Sequence, residues 1–176
     1  MHRLLRCLLP VLVAAPWLCA AGDPGLVLEL DRAAFEVRAR DLRDERDGPA
    51  LRVVIGSPSH PTPAGDFAVY QVVRNPSWKP GETARKRGAT NRPASSDGPL
   101  GVAKISFGPE GVALHGGARE ILLGKPISLG CVRARDKDLL ALLDWLDGAG
   151  ALGRRVPGAD GEETQRFSRP VRIVVR

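Results

Sequence analysis

One short stretch of this 176-residue chain holds the residue types needed for covalent chemistry. Residues 115–133 read HGGAREILLGKPISLGCVR, with His115 before two glycines and Cys131 directly after Gly130. A free thiol with a pKa of about 8.5 is mostly protonated at neutral pH, and a neighbouring imidazole can accept its proton to give a thiolate nucleophile. His115 is the candidate base, because His60 is the only other histidine after residue 22.

Three neighbours of Cys131 could support this chemistry. Gly130 allows the backbone to approach a substrate closely, and the N–H groups of Gly130 and Cys131 could face a developing oxyanion. Arg133 could favour the thiolate or pair with a substrate carboxylate, and Ser128 could hydrogen-bond the histidine or the turn. Each residue also has a purely structural interpretation, with His115 as a hydrogen-bonding residue at a strand end. A metal site is not indicated, since one cysteine and one nearby histidine fall short of three or four ligands.

The N-terminus predicts export. Residues 1–22 begin with two arginines, continue in an apolar run from Leu8 to Leu18 and close on small residues, which is typical of a secretory signal peptide cleaved near Ala21. The apolar run is short and contains two prolines, which disfavours a membrane anchor. The predicted organisation is therefore a signal peptide at 1–22 and one catalytic domain at 23–176 in the periplasm.

Loss of this leader changes the cysteine count. Cys7 and Cys19 would be removed, so Cys131 would be the sole thiol and no intramolecular disulfide could form. A single thiol in an oxidising compartment risks oxidation and is retained more easily when it has a function. A buried, inert cysteine fits the count equally well, so the local sequence has to decide.

The charge of the chain is basic without indicating nucleic-acid binding. The net charge is +6, and it falls to +4 when Arg3 and Arg6 leave with the leader. The remaining basic residues are scattered among acids, and no helix-turn-helix, zinc-finger or RNA-binding signature accompanies them. We interpret them as a solvated surface and expect no nucleic-acid partner.

Short segments joined by turns predict a mainly β domain with one or two helices. The chain has 20 glycines and 15 prolines, which favour many turns. Short apolar segments predict strands at 26–30, 51–56, 66–73, 100–107, 111–116 and 171–176, and apolar and polar residues alternate in a further strand at 34–38. One helix is predicted near 136–147, capped by Asp136, with an apolar face of Leu139, Leu140, Leu142, Leu143 and Leu146. Residues 74–100 have no apolar period and predict a long flap.

The ordered motifs resemble those of the L,D-transpeptidase (YkuD-type) catalytic domain along nearly the whole chain after the leader. The family's His-Gly pair, spacer and Ser/Thr-His-Gly-Cys motif with a following Arg or Asn match His115-Gly116 and Ser128-Leu129-Gly130-Cys131-Val132-Arg133. Upstream, IGSPSHPTPAGDFAV at 55–69 resembles the family's Thr-Pro-x-Gly-x-Phe segment, and Asn75-Pro76-Ser77-Trp78 resembles its Asn-Pro-x-Trp motif.

The resemblance implies a β-sandwich-like catalytic fold, a nucleophile and a base. It implies Cys131 as nucleophile, His115 as general base and acid, oxyanion stabilisation near Gly130, and substrate contacts at Gly116 and Leu129. Family members act on peptidoglycan stem tetrapeptides, release the terminal D-Ala and pass the acyl group to an amine. The amine belongs to a second stem, a lipoprotein or a D-amino acid, and some members use water instead. No cofactor is needed, carbapenems commonly acylate the cysteine, and we expect a monomer.

One residue departs from the family motif. Leu129 stands where the family usually has histidine, so a polar group beside the nucleophile is missing. This difference bears on the choice of substrate and on the balance between acyl transfer and hydrolysis. Two alternatives to the transpeptidase therefore stay open at this point. One is a cysteine hydrolase that trims peptidoglycan stems, and the other is a catalytically silent wall-binding module.

Overall fold

The computed structural model describes residues 25–109 and 111–176, so the predicted signal peptide lies outside the described residues. The strands are β1 Leu26–Asp31, β2 Glu36–Asp41, β3 Arg46–Arg52, β4 Ile55–Gly56, β5 Gly65–Arg74, β6 Ala103–Phe107, β7 Ala113–His115, β8 Pro126–Ser128, β9 Val132–Arg133, β10 Leu152–Pro157 and β11 Glu163–Val175. The helices are α1 Glu82–Lys86 and α2 Asp136–Gly148, with single 3₁₀ turns at Glu120–Leu122 and Ala159–Gly161.

Most of these strands form one mixed sheet. Its order is β3-β2-β1-β11-β5-β6-β7-β9, and β10 pairs with β11. The pairs β1–β11 and β7–β9 are parallel, and the other pairs in this sheet are antiparallel. Strands β4 and β8 form a separate parallel pair. The predicted fold class, mainly β with one or two helices, is confirmed.

Helix α2 covers the core through leucines at helical spacing. Leu139, Leu142, Leu143 and Leu146 are fully buried and belong to the same apolar cluster as residues of β1, β6 and β7. Leu140, which the sequence pattern placed on the same face, is 37% exposed. The helix directly follows β9 and so fixes the end of the segment that carries Cys131.

The predicted cap of this helix is wrong. Arg135 is the N-cap residue and makes no side-chain cap hydrogen bond, whereas Asp136 is the first helical residue. The Asp136 Oδ1 atom instead accepts hydrogen bonds from the backbone N–H groups of Val102 and Gly117, each at 3.0 Å. A carboxylate at the start of a helix can accept hydrogen bonds from other backbone N–H groups when tertiary contacts bring these closer than the N–H groups of its own first turn.

Several strand boundaries also differ from the predicted ones. Strand β11 begins eight residues before the predicted start at 171, because it pairs with β5 on both sides of a register shift between Arg166 and Val171. The predicted strand at 51–56 divides into β3 and β4. Strand β3 begins at Arg46, in a charged segment before the predicted start at 51, since its pairing with β2 does not require an apolar face there.

The flap at 74–100 is more ordered than a bare loop. It contains helix α1 and an antiparallel bridge in which Trp78 and Arg92 exchange backbone hydrogen bonds at 3.0 and 2.9 Å. Pro76 and Pro80 are buried, so the flap is anchored near its first end. This anchoring holds Trp78 beside the cleft described below.

We expect Leu142→Ala to lower the free energy of unfolding by about 3 kcal/mol, because it removes buried methyl groups and leaves a cavity. Leu140→Ala is the matched control on the same helix and should cost less than about 1 kcal/mol, since that side chain is partly in solvent. Guanidinium unfolding of both variants measures the difference. Equal losses would show that α2 does not pack on the face described here.

Candidate active site

The predicted chemistry lies in one cleft of about 1040 Å³. Its floor comes from β5, β6 and β7, and one wall comes from the flap and helix α1. Five of the predicted site residues line it: His115, Ser128, Leu129, Cys131 and Arg133. The cleft therefore brings together the proposed nucleophile, base and cation, while Gly116 and Gly130 lie behind its lining.

Residues 115 and 131 reach the same cleft because β7 and β9 are parallel neighbours. Leu114 pairs with Val132 and His115 pairs with Arg133, so Cys131, directly before β9, lies beside Ala113 at the start of β7. A crossover of 16 residues, containing β8 and one 3₁₀ turn, returns the chain to the same edge of the sheet. The spacing seen in the sequence is thus the length of this connection.

The His115 ring is buried and its tautomer is fixed. The ring is 4% exposed, and Nδ1 lies 2.8 Å from the Gly116 carbonyl oxygen. A carbonyl can only accept, so Nδ1 carries the proton and Nε2 holds the lone pair of the neutral ring. Burial lowers the pKa of His115 to about 4, against the opposing pull of the Gly116 carbonyl and with a further lowering by Arg133. His115 is therefore neutral at physiological pH and available as a base through Nε2.

The Cys131 thiol is also held in its neutral form. Burial raises the pKa of this thiol, while the Ala113 N–H group and the cations of Arg133 and Lys104 lower it. The Sγ atom donates to the Gly111 carbonyl oxygen at 3.4 Å, and among the described residues no hydrogen bond joins it to His115. The resting site thus favours a neutral thiol and a neutral imidazole.

Ser128 stabilises the turn that presents Cys131. Its buried hydroxyl donates to the Cys131 carbonyl oxygen at 2.5 Å and accepts from the Gly130 N–H at 3.2 Å. Of the two roles considered for Ser128, the structure has the hydrogen bond within the turn and none to the histidine. Of the two N–H groups considered for an oxyanion, that of Gly130 is therefore occupied, whereas that of Cys131 has no acceptor among residues 25–109 and 111–176.

Gly116 orients the base from behind the cleft. Its carbonyl holds Nδ1 of His115, and a Cβ at this position would overlap Asp136 Oδ1. Asp136 in turn fastens the following residue, Gly117, to the start of β6 through Val102. The structure therefore places Gly116 against the histidine and not in the cleft lining.

Two of the three cationic residues that line the cleft, Lys104 and Arg133, have no carboxylate partner among the described residues. Lys104 and Arg133 both line the cleft and are both half-buried, yet neither forms a salt bridge within the described part of the chain. Burial lowers the pKa of Arg133, and the Cys131 thiolate would raise it again. Their field favours an anion in the cleft, whether thiolate or substrate carboxylate.

Sequence reasoning did not single out Lys104 or Thr62. Lys104 is a lone charge in the otherwise apolar strand β6, and that contrast was an available signal. Thr62 begins the Thr-Pro-x-Gly-x-Phe segment, but its link to the nucleophile turn depends on a contact 68 residues away in sequence. Only the folded chain reveals that contact.

Among the described residues, no group of three or more histidine, cysteine or carboxylate side chains is placed to hold a metal ion. None of the described helices has the length and apolar character needed to cross a membrane.

The fold and the cysteine–histidine cleft define a class that comparison with known proteins identifies. The sequence model of the YkuD family, the L,D-transpeptidase catalytic domain, matches residues 27–173, and the chain belongs to this family. It is similar to the protein named "Putative L,D-transpeptidase YqjB" of Bacillus subtilis (strain 168), with 27% identity over 130 residues that cover 71% of this chain and 67% of that protein.

Solved structures share the fold at low identity. An L,D-transpeptidase from Mycobacterium tuberculosis H37Rv has a TM-score of 0.54 at 14% identity, over 86% of this chain and 57% of that one. An Enterococcus faecium L,D-transpeptidase mutant has a TM-score of 0.55 at 16% identity, over 86% of this chain and 50% of that one. The present chain thus spans between half and three fifths of the length of these two solved proteins.

The buried His115 predicts an acid-dependent loss of stability. Its folded pKa of about 4 lies below the unfolded value of 6.5, so the unfolded chain binds the proton first as pH falls. The folded state should lose about 3 kcal/mol between pH 6.5 and pH 4 from this residue. We expect urea unfolding of His115→Gln to show a shallower decline over this range. A decline in His115→Gln that runs parallel to that of the wild type would contradict the assignment.

Removing the Lys104 cation should make the thiolate harder to form. We expect Lys104→Gln to raise the pH midpoint of Cys131 alkylation by iodoacetamide and to slow the reaction at pH 7, because this cation lowers the pKa of the thiol. The shift should shrink in high salt. Lys137→Gln, an exposed change on α2, should leave the midpoint unchanged, and an equal shift in both variants would exclude a local effect.

Proposed function

We propose that this protein is a peptidoglycan L,D-transpeptidase of the periplasm in which Cys131 is the nucleophile and His115 the general base and acid. The observation that carries the proposal is one cleft holding the Cys131 thiol and the neutral His115 ring, whose Nδ1 is committed to the Gly116 carbonyl. That hydrogen bond leaves Nε2 to move the proton. Family membership supports the reaction class.

The first half of the reaction is acylation. Cys131 Sγ attacks the carbonyl carbon of the third stem residue, usually diaminopimelate, and forms an Sγ–C bond as its proton passes to His115 Nε2. The oxyanion accepts a hydrogen bond from the Cys131 N–H. Breakage of the C–N bond then releases D-Ala, whose amine takes the proton from His115, and a thioester remains.

The second half is transfer to an amine. The acceptor nitrogen attacks the thioester, gives a proton to His115, and expels Cys131, which recovers that proton as a thiol. One amide bond is broken and one is formed, so the cycle balances without a cofactor. An amine of a second stem gives a 3→3 crosslink, and a lipoprotein amine or a D-amino acid follows the same path.

The cations of the cleft suit a stem peptide. Stem peptides carry several free carboxylates, and Arg133 and Lys104 supply unpaired positive charge beside the thiol. The volume of about 1040 Å³ lies at the upper end of ligand pockets, which suits a peptide better than a small metabolite. We assign Arg133 and Lys104 to carboxylate binding and Leu129 to an apolar contact with the substrate.

The test is mass spectrometry of protein and products after incubation with a diaminopimelate-containing disaccharide tetrapeptide. We expect a thioester adduct on the protein, loss of D-Ala and a crosslinked dimer. Cys131→Ala should give none of these products, and His115→Gln should slow their formation by about 10²- to 10⁴-fold. Lys137→Gln, on the outer side of α2, should behave as wild type.

The other outcomes separate the alternatives. Tripeptide without dimer would replace the transferase by a hydrolase on the same substrate. Absence of both adduct and product, together with no mass change after imipenem, would favour the silent wall-binding module. A relative of this fold is described in complex with imipenem, which makes that β-lactam a suitable probe.

A further inference from the structure

We propose that Thr62 is a positioning residue that aims the Cys131 N–H at the oxyanion. The inference rests on the proposed acyl transfer and adds a residue that lies outside the motif around the nucleophile. It follows from two hydrogen bonds of one buried hydroxyl and from the geometry of the peptide bond that one of them holds.

The Thr62 side chain connects the nucleophile turn to a distant part of the chain. Thr62 is 1% exposed, and its Oγ1 donates to the Gly130 carbonyl oxygen at 2.9 Å. The same oxygen accepts the Gly56 N–H at 2.9 Å. A hydroxyl has one proton, and a carbonyl can only accept, so both roles are fixed and the Thr62 proton must point at Gly130.

This hydrogen bond sets the direction of the Cys131 N–H. The Gly130 carbonyl and the Cys131 N–H belong to one planar trans peptide unit, so they point in opposite directions. With the carbonyl held by Thr62, the N–H points away from Thr62. It is left without an acceptor among the described residues, next to a side chain that lines the cleft.

Gly130 cannot hold this orientation by itself. Its φ of +112° lies in a region that glycine enters freely, and glycine has no side chain to limit rotation of the adjoining peptide. Ser128 holds the N–H on the other side of Gly130, through its Oγ. Thr62 and Ser128 therefore fix the two peptide units that flank this flexible residue.

Thr62 is itself held firmly. Arg32 donates from Nη1 to the Thr62 carbonyl oxygen at 3.2 Å. Gly56 ends β4, which pairs with β8, and the Ser57 N–H donates to the Ser128 carbonyl oxygen at 2.9 Å. A Cβ at Gly56 would overlap the Thr62 backbone nitrogen, so glycine at 56 is what allows the close approach.

Two reactions of the same thiol separate this role from a general structural one. Imipenem reacts by addition of Sγ to the β-lactam carbonyl, which forms an oxyanion before the C–N bond breaks and the ring nitrogen takes the proton. Iodoacetamide reacts by attack of Sγ on a CH₂ carbon with loss of iodide, which forms no oxyanion. A residue that positions the oxyanion donor should affect only the first reaction.

We would therefore compare Thr62→Val, which removes the hydroxyl at similar volume, with Thr62→Ser, which keeps it. For Thr62→Val we expect imipenem acylation to fall by about 10- to 100-fold, since a misplaced oxyanion donor costs that much. Its iodoacetamide rate and the pH profile of that rate should stay within about twofold of wild type. Thr62→Ser should keep both reactions, and Thr90→Val, on the exposed side of the flap, is the matched control.

The imipenem and iodoacetamide rates are also measured for Thr62→Ala. This variant replaces Thr62→Val if circular dichroism shows that Thr62→Val does not fold. Equal loss in both reactions, an unchanged imipenem rate, or a Thr62→Ser variant that behaves like Thr62→Val would overturn the positioning role. A wild-type protein that is alkylated by iodoacetamide but never acylated by imipenem, with no stem-peptide adduct, would instead overturn the proposed function and this inference with it.

Discussion

The hydrogen bond from His115 Nδ1 to the Gly116 carbonyl is the interaction on which the rest of the site depends. It commits Nδ1, so Nε2 is the ring nitrogen left to accept a proton, and it holds a ring that burial keeps neutral. Glycine at 116 leaves room for the Asp136 carboxylate, which accepts the N–H of the next residue, Gly117. Helix α2 therefore stabilises the site through Asp136, its first residue.

Burial disfavours the charged forms of both Cys131 and His115. Desolvation raises the pKa of Cys131 and lowers that of His115, so neither charge is stable before a substrate arrives. At the Cys131 thiol, the Ala113 N–H and the cations of Arg133 and Lys104 lower the pKa and so oppose the effect of burial. Positive charge and an N–H donor are thus fixed beside the Cys131 sulfur, where they would favour an anion.

The sequence predicted those elements in which the spacing of apolar residues within the element itself reflects burial. The leucines of α2 and the alternation in β2 report burial directly, and residue type and spacing singled out His115 and Cys131, which line one cleft. The first half of β11 and the charged start of β3 are strands because they pair with β5 and β2. The residue pattern within each segment does not indicate this pairing. Asp136 matches a helix cap by type, but its carboxylate serves Val102 and Gly117 because tertiary folding brings those donors to it.

Leu129 shows how a motif can change without loss of the positioning network. The hydrogen bonds that orient the base and the nucleophile turn come from Gly116, Ser128 and Thr62, and none needs a polar side chain at 129. The Leu129 side chain is 41% exposed and lines the cleft beside the thiol. Leucine in place of histidine therefore gives the cleft an apolar side chain where the family motif has a polar one, and it leaves the hydrogen bonds of His115 and of the Cys131 turn in place.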